Sequence, residues 1–316
     1  MLLQILYTLI YVLPLYISPN SRPSPSLSRD AASVIQARIR AVTLSCILTS
    51  LITIYILTTQ ALLRPLQVLS LLGYSPLPLN STFSPVLLTS LLFAGPLFER
   101  LVTIPSTSLS RRSLLQSIFT TLSSWTGYRN YVAGPLTEEL LFRSHLIPLH
   151  IVAQLSPSRI VFVSPLYFGI AHVHHCYEYR LTHPHTPLLP VLVRTLVQFG
   201  YTTVFGWYAT FVFLRTGSLW GVVLVHAFCN WCGLPRFWGR VQMDAGVPLE
   251  RAAQLEGERD NKSAGLKAAD GNLALGWSVA YYVILVSGTV AFYQNLWKLT
   301  DTGTALVAFG SQPESS

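Results

Sequence analysis

The 316-residue chain is 51% hydrophobic and only 11% charged, with a mean hydropathy of +0.47, where soluble globular chains run near a quarter charged. That balance excludes a soluble globular protein and predicts an all-α fold, a polytopic transmembrane helical bundle of about eight spans. The net charge of +8 does not imply nucleic acid as a partner, because the basic residues lie between apolar runs and form no single basic face; they are a topology signal.

Residues 1–18 (MLLQILYTLIYVLPLYIS) are apolar from the start. They lack a basic n-region and an A-x-A-like site, which favours a first span over a cleaved signal peptide. A Ser/Pro-rich loop with Arg22, Arg29, Arg38 and Arg40 completes a first unit, 1–40. The apolar run from about 41 to 70 predicts a second span, and residues 84–104 a third that ends near Glu99 and Arg100. The loop between them has no Lys or Arg, whereas the polar connection 105–130 carries Arg111, Arg112 and Arg129. Residues 133–151 are the fourth span, Ser158–His175 the fifth, Pro187–Arg215 the sixth and Ser218–Gly233 a short seventh, so that 41–233 form a core. A basic loop rich in Gly, Ala and Asp, 234–274, reads as disordered or surface-lying. The last unit, 275–316, holds a final span, Leu275–Leu299, and a polar tail.

By these boundaries the loops after odd-numbered spans hold about fourteen Lys and Arg, and those after even-numbered spans about two, Arg159 and Arg215, which places the first set in the cytosol. The sequon Asn80-Ser81-Thr82 then falls on the lumenal side, and Asn261-Lys262-Ser263 on the cytosolic side. Cys46, Cys176, Cys229 and Cys232 lie in or beside apolar segments. The C-x-x-C of the last two is read as one helix inside a membrane, against a redox or zinc role.

The stretch GPLTEELLFRSHLIPLH, 134–150, sets two adjacent carboxylates, Glu138 and Glu139, in an apolar helix. Acids in a span are costly, about 3 kcal/mol each on insertion scales, and so indicate function. Arg143 follows Glu139 by one turn and can pair with it, while Glu138 points about 100° away. With this orientation His172 at the end of the fifth span, and His226 and Asn230 one turn apart on the seventh, come to the same depth near the cytosolic face. Each has a structural reading as well: Glu139–Arg143 as a stabilising pair, His226 and Asn230 as interhelical hydrogen-bond glue, His145 and His150 as residues capping or lining the central helix, and His174, His175, His183 and His185 as interfacial loop residues. An unpaired Glu138 beside a satisfied acid is the hardest to explain structurally.

Glu138-Glu139-x-x-x-Arg143, Phe168-x-x-x-His172 and His226-x-x-x-Asn230 resemble, in order and spacing, the three motifs of the CPBP intramembrane glutamate proteases, the ABI superfamily. Within it the chain is similar to the type II CAAX prenyl endopeptidases, the Ras-converting enzymes; YVLPLY and HAFCNWCGLPR add to the likeness. The resemblance implies removal of the aaX tripeptide from prenylated CAAX proteins on the cytosolic face of the endoplasmic reticulum membrane. The implied partners are farnesylated or geranylgeranylated proteins such as small GTPases and lipopeptide pheromone precursors, together with membrane lipids. Glu138 with His172 would deprotonate water, and His226 with Asn230 would hold the oxyanion. Glu139, Arg143 and Phe168 would support them, and neither metal nor cofactor is expected. A zinc-dependent membrane protease lacks its H-E-x-x-H here, and a transporter or non-catalytic scaffold of the same superfamily is the other alternative.

Overall fold

Apolar residues run around the whole circumference of the longest segments, a pattern that suits a solvent as apolar as the core itself. The computed structural model describes residues 2–24, 27–76, 78–103, 111–242 and 273–309, and every regular element among them is helical. Helices α1 (Leu2–Val12) and α2 (Pro14–Ile17) precede α3 (Ala32–Tyr55), which a π-helical turn extends through Ile56–Gln60. Then follow α4 (Pro65–Leu71), α5 (Leu79–Leu92), α6 (Ala94–Thr103), α7 (Arg111–Ser123) and α8 (Trp125–Tyr128). The central helix is built of α9 (Gly134–Glu139) and α10 (Leu146–Val152), with π-helical turns over Arg129–Ala133 before it and over Leu140–His145 within it. The remainder are α11 (Pro157–Ala171), α12 (His174–Thr182), α13 (Leu188–Thr216), α14 (Leu219–Cys232) and α15 (Leu275–Leu299).

Among the described residues, three helices are long and apolar enough to cross a membrane: Ala32–Gln60, α13 and α15; a fourth is obtained if α5 and α6 are one span bent by 74°. Only 28%, 17% and 17% of the most apolar windows of the three long helices is buried, so their apolar faces point outward, as lipid contact requires. The other expected spans are shorter or broken: α11 has 15 residues, α14 has 14, and α1 is separated from α2 at Leu13. The count of about eight therefore exceeds what helix length alone supports.

Boundaries moved where local chemistry overrode hydropathy. The second expected span starts at Ala32 instead of 41, because Arg38 on its first turns meets the carboxylate of Glu178. It ends at Gln60 instead of 70, since Leu62 takes a left-handed φ of 54° and Pro65 opens a new helix. The unit boundary at residue 40 falls inside α3. In the connection 105–130, residues 111–123 are helical. The expected loop 234–274 and the second sequon fall largely or wholly on residues 243–272, outside the described residues, while Asn80 sits exposed in the first turn of α5.

The central helix organises the packing. Leu141, Phe142 and Leu146 join Tyr7, Leu57, Leu72 and Phe168 in one core, and Ile147 joins Ile160, Val212, Phe213 and Val222 in another. Polar bonds add to this contact. His145 sits between the hydroxyls of Thr49 (3.0 Å) and Ser50 (2.9 Å), Thr53 donates to the carbonyl of His145 (3.3 Å), and Ser144 donates to the carbonyl of Leu72 (2.7 Å). Such interhelical bonds hold apolar helices in one register. Between α13 and α14 the chain turns in two residues: Gly217 takes φ 55° at the end of α13, and the Ser218 side chain caps α14 by accepting from the Gly221 amide at 3.0 Å. This tight turn sets α14 beside the central helix.

Candidate active site

The two adjacent acids occupy different environments. Glu139 is fully buried and Arg143 is 1% exposed. Arg143 Nη1 donates to Glu139 Oε1 at 3.1 Å, and the guanidinium carbon lies 4.4 Å from the centre of the Phe168 ring, in cation–π range. His226 Nδ1 donates to the same Glu139 oxygen at 2.6 Å. Glu139 Oε2 has no hydrogen-bond partner among the described residues. Glu138, with a side chain 19% exposed, faces an open cavity of about 210 Å³ lined by residues of α1, α2, α3, the central helix, the end of α11, the start of α12 and α14.

Both candidate histidines approach Glu138 through Nε2. His172 Nε2 lies 3.9 Å and His226 Nε2 3.8 Å from Glu138 Oε2, too far for a direct hydrogen bond. His172 Nδ1 lies 2.8 Å from the carbonyl oxygen of Phe168. A carbonyl only accepts, so Nδ1 carries the proton and Nε2 of the neutral ring presents a lone pair to the cavity. His226 is pinned in the same sense by Glu139. It is 7% exposed and stands behind Glu138 instead of on the cavity wall. Asn230 does line the cavity, with Nδ2 donating one proton to the Asn130 carbonyl at 2.9 Å. The motif residues thus gather around Glu138, with Glu138, His172 and Asn230 facing the cavity and Glu139, Arg143, Phe168 and His226 packed beneath.

Several cavity residues escaped the sequence reading. His174 and His175, expected in an interfacial loop, line it, as do Tyr11, Arg29, Arg38, Arg129 and Asn130. The hub of this rim is Glu178, which is buried and receives Arg38 Nη2 at 2.6 Å and His175 Nδ1 at 2.9 Å. Burial alone would raise its carboxyl, but the His175 bond and the Arg38 charge outweigh that and hold it well below the usual carboxylate range. Its helical spacing from His174 and His175 was the available signal. Ligand atoms of His174, His175 and Glu178 come within 4.8 Å of one another, a donor set a metal could use. Here the two carboxylate oxygens already face Arg38 and His175, and His174 Nδ1 faces Tyr16 Oη at 2.7 Å. Other polar residues have structural partners. Glu99 pairs with Arg236 at 2.7 Å, and all four cysteines are free thiols, with Cys46 donating to the Thr137 carbonyl at 3.3 Å.

Comparison with known proteins bears on this arrangement. The family model described as type II CAAX prenyl endopeptidase Rce1-like matches residues 87–232, the segment that carries all three motifs. The chain is 35% identical to the probable CAAX prenyl protease 2 of Schizosaccharomyces pombe over 95% of its own length and 93% of that protein. It is 37% identical to CAAX prenyl protease 2 of Arabidopsis thaliana over 55% of this chain and 58% of that one, and 33% identical to CAAX prenyl protease 2 of Homo sapiens over 76% and 72%. No solved structure matches. Similarity that runs through the motif segment and, in the fission-yeast relative, nearly end to end means that the chain belongs to the Rce1-like family of type II CAAX prenyl endopeptidases.

Proposed function

We propose that this CAAX prenyl protease cleaves the bond after a prenylated cysteine with a water activated by Glu138, releasing the aaX tripeptide. The observation that carries the reading is the position of Glu138. It faces the cavity with the Nε2 atoms of two histidines at 3.8 and 3.9 Å, while its neighbour Glu139 is tied to Arg143 and His226. An oxygen seated to one side of the Glu138–His172 pair, about 2.8 Å from each, would bridge them. Its proton passes to Glu138, with the His172 lone pair orienting it, and the hydroxide adds to the scissile carbonyl. The resulting oxyanion accepts a bond from the second Nδ2 proton of Asn230, which lines the cavity, and His226, packed behind Glu138, can reach it only with Nε2, the atom 3.8 Å from Glu138 Oε2. Because His226 Nδ1 is committed to Glu139, Nε2 donates only from the doubly protonated ring. Glu138 returns its proton to the departing amine as the C–N bond breaks, so atoms and charge balance without an acyl-enzyme.

Farnesylated and geranylgeranylated proteins, among them small GTPases and lipopeptide pheromone precursors, are the substrates this reading assigns. Their tails are lipid-anchored and cytosolic, which supports a site open to the cytosol, and the membrane this reading assigns is that of the endoplasmic reticulum. The test is tripeptide release from a farnesylated CAAX peptide by purified protein in detergent, with and without chelator. Glu138→Ala is expected to abolish release, with Cys229→Ala and chelator leaving it intact. Loss on chelation would instead require a zinc mechanism, and a folded but inactive wild type would require a scaffold or transport role.

A further inference from the structure

The cavity wall that carries Glu138 continues into a rim of three arginines, Arg29, Arg38 and Arg129, and their partners are unequal. Arg38 has Glu178 at 2.6 Å, and Arg129 has Asp30 at 2.7 Å. The contacts of Arg29 with carboxylates are longer, 3.7 Å to Glu178 and 3.9 Å to Asp30, and its side chain is 48% exposed. Three cations against two carboxylates leave this rim one positive charge in excess. Arg29 is the guanidinium that can take a further carboxylate without breaking a close pair. The same cavity that Glu138 and these arginines line also carries the apolar side chains of Leu15, Ile35, Ile39 and Val42.

From this juxtaposition we infer that Arg29 binds the free C-terminal carboxylate of the substrate, and so fixes how far from the terminus the chain is cut. The inference rests on the proteolytic reading and adds to it a residue for recognition. A planar guanidinium matches a carboxylate bidentately, giving charge-assisted bonds in one geometry. Three extended residues reach roughly 10 Å. Anchoring the carboxylate at the rim therefore lays two aliphatic side chains along the apolar wall and presents the third peptide bond inward to Glu138. Held at one end, the peptide has a single bond at the base, which turns an endopeptidase into a cutter of tripeptides.

The experiment compares two farnesylated peptides of one sequence, ending in a carboxylate or in a carboxamide, with the full-length wild type and the variants Arg29→Gln and Arg29→Lys. Wild type is expected to prefer the carboxylate by about tenfold in kcat/KM, equivalent to ~1.4 kcal/mol. Arg29→Gln should bring the carboxylate peptide down to the carboxamide rate, with turnover of the carboxamide unchanged and so reporting a folded enzyme. Arg29→Lys should restore part of the preference. Equal cleavage of both peptides by wild type, or an Arg29→Gln variant that keeps the preference or loses both rates alike, overturns the carboxylate site while leaving the proteolytic reading in place. A wild type that cleaves neither peptide overturns both.

Discussion

Replacing Glu139 by Gln removes the charge that sits against Arg143 while keeping volume and one acceptor. Both side chains are essentially dry, 0% and 1% exposed, with an N–O separation of 3.1 Å. Removing one partner of such a pair leaves an uncompensated charge and costs about 3–5 kcal/mol. The Phe168 face, 4.4 Å from the guanidinium carbon, goes on contributing up to about 2 kcal/mol, and the Gln carbonyl still accepts, so the loss should lie at the lower end, about 3 kcal/mol. Equilibrium unfolding of purified protein in mixed micelles measures it for Glu139→Gln, Arg143→Met and the double variant. The double variant removes both charges and should be less destabilised than the sum of the singles. A Gln variant within about 0.5 kcal/mol of wild type, or strictly additive singles, would refute the argument that this pair is a coupled, desolvated unit.

Other expectations follow from the same geometry. A Cβ on Gly206 would stand 2.7 Å from Pro165 Cβ and 3.3 Å from Arg143 Nη2; Gly206→Ala should therefore cost about 1–3 kcal/mol in the same unfolding assay. Asn230→Ala should lower kcat about a hundredfold or more in the tripeptide-release assay if its free proton meets the oxyanion, with the unfolding midpoint unchanged because its side chain is exposed. Glu178→Gln should destabilise the rim in a pH-dependent way. A carboxyl held below its ordinary value stabilises the fold fully above about pH 4.5, and that contribution drains away as pH falls toward the depressed folded value. The stability gap between wild type and Glu178→Gln is thus widest at neutral pH and closes on acidification; a gap that widens in acid would contradict the sign.

Hydropathy made the helical membrane class legible because composition acts over the whole chain, and the positions of the motif residues followed from helical spacing. Glu139–Arg143 is an i, i+4 contact and was readable as such; so was the His172 turn after Phe168, whose carbonyl now fixes the histidine tautomer. What escaped were contacts between residues far apart in sequence. Nothing local to Arg38 says that it meets Glu178, 140 residues on, and without that pairing Arg38 looked like a loop residue ahead of a span. The π-helical turns of the central segment are equally invisible to hydropathy. They arise where tertiary bonds compete for the backbone, as when Thr53 bonds the His145 carbonyl. The histidines of α12 were read as interfacial because their sequence is polar, and the rim that draws them inward comes from α2 and the start of α3.

In the proposed mechanism, the contrast between Glu138 and Glu139 lets one helix supply both a fixed charge and a working base. Side chains in a span adjust to satisfy their own hydrogen bonds, and a base that did so would have its lone pairs occupied. Glu139 takes the two strong donors, Arg143 and His226, and is locked. Glu138 is the next residue on the same backbone, so its position is determined through the helix without donors of its own; its nearest ionisable partners stay 3.8 and 3.9 Å away. Its oxygens therefore face the cavity with capacity to spare, which is what binding and deprotonating a water requires. Exchanging the pair's roles by swapping a neighbour cannot work, because Arg143 lies one turn after Glu139 and pairs with it, while Glu138 points about 100° away from Glu139. The adjacency of the two acids, which hydropathy alone makes costly, is in this reading the device that holds the base in position.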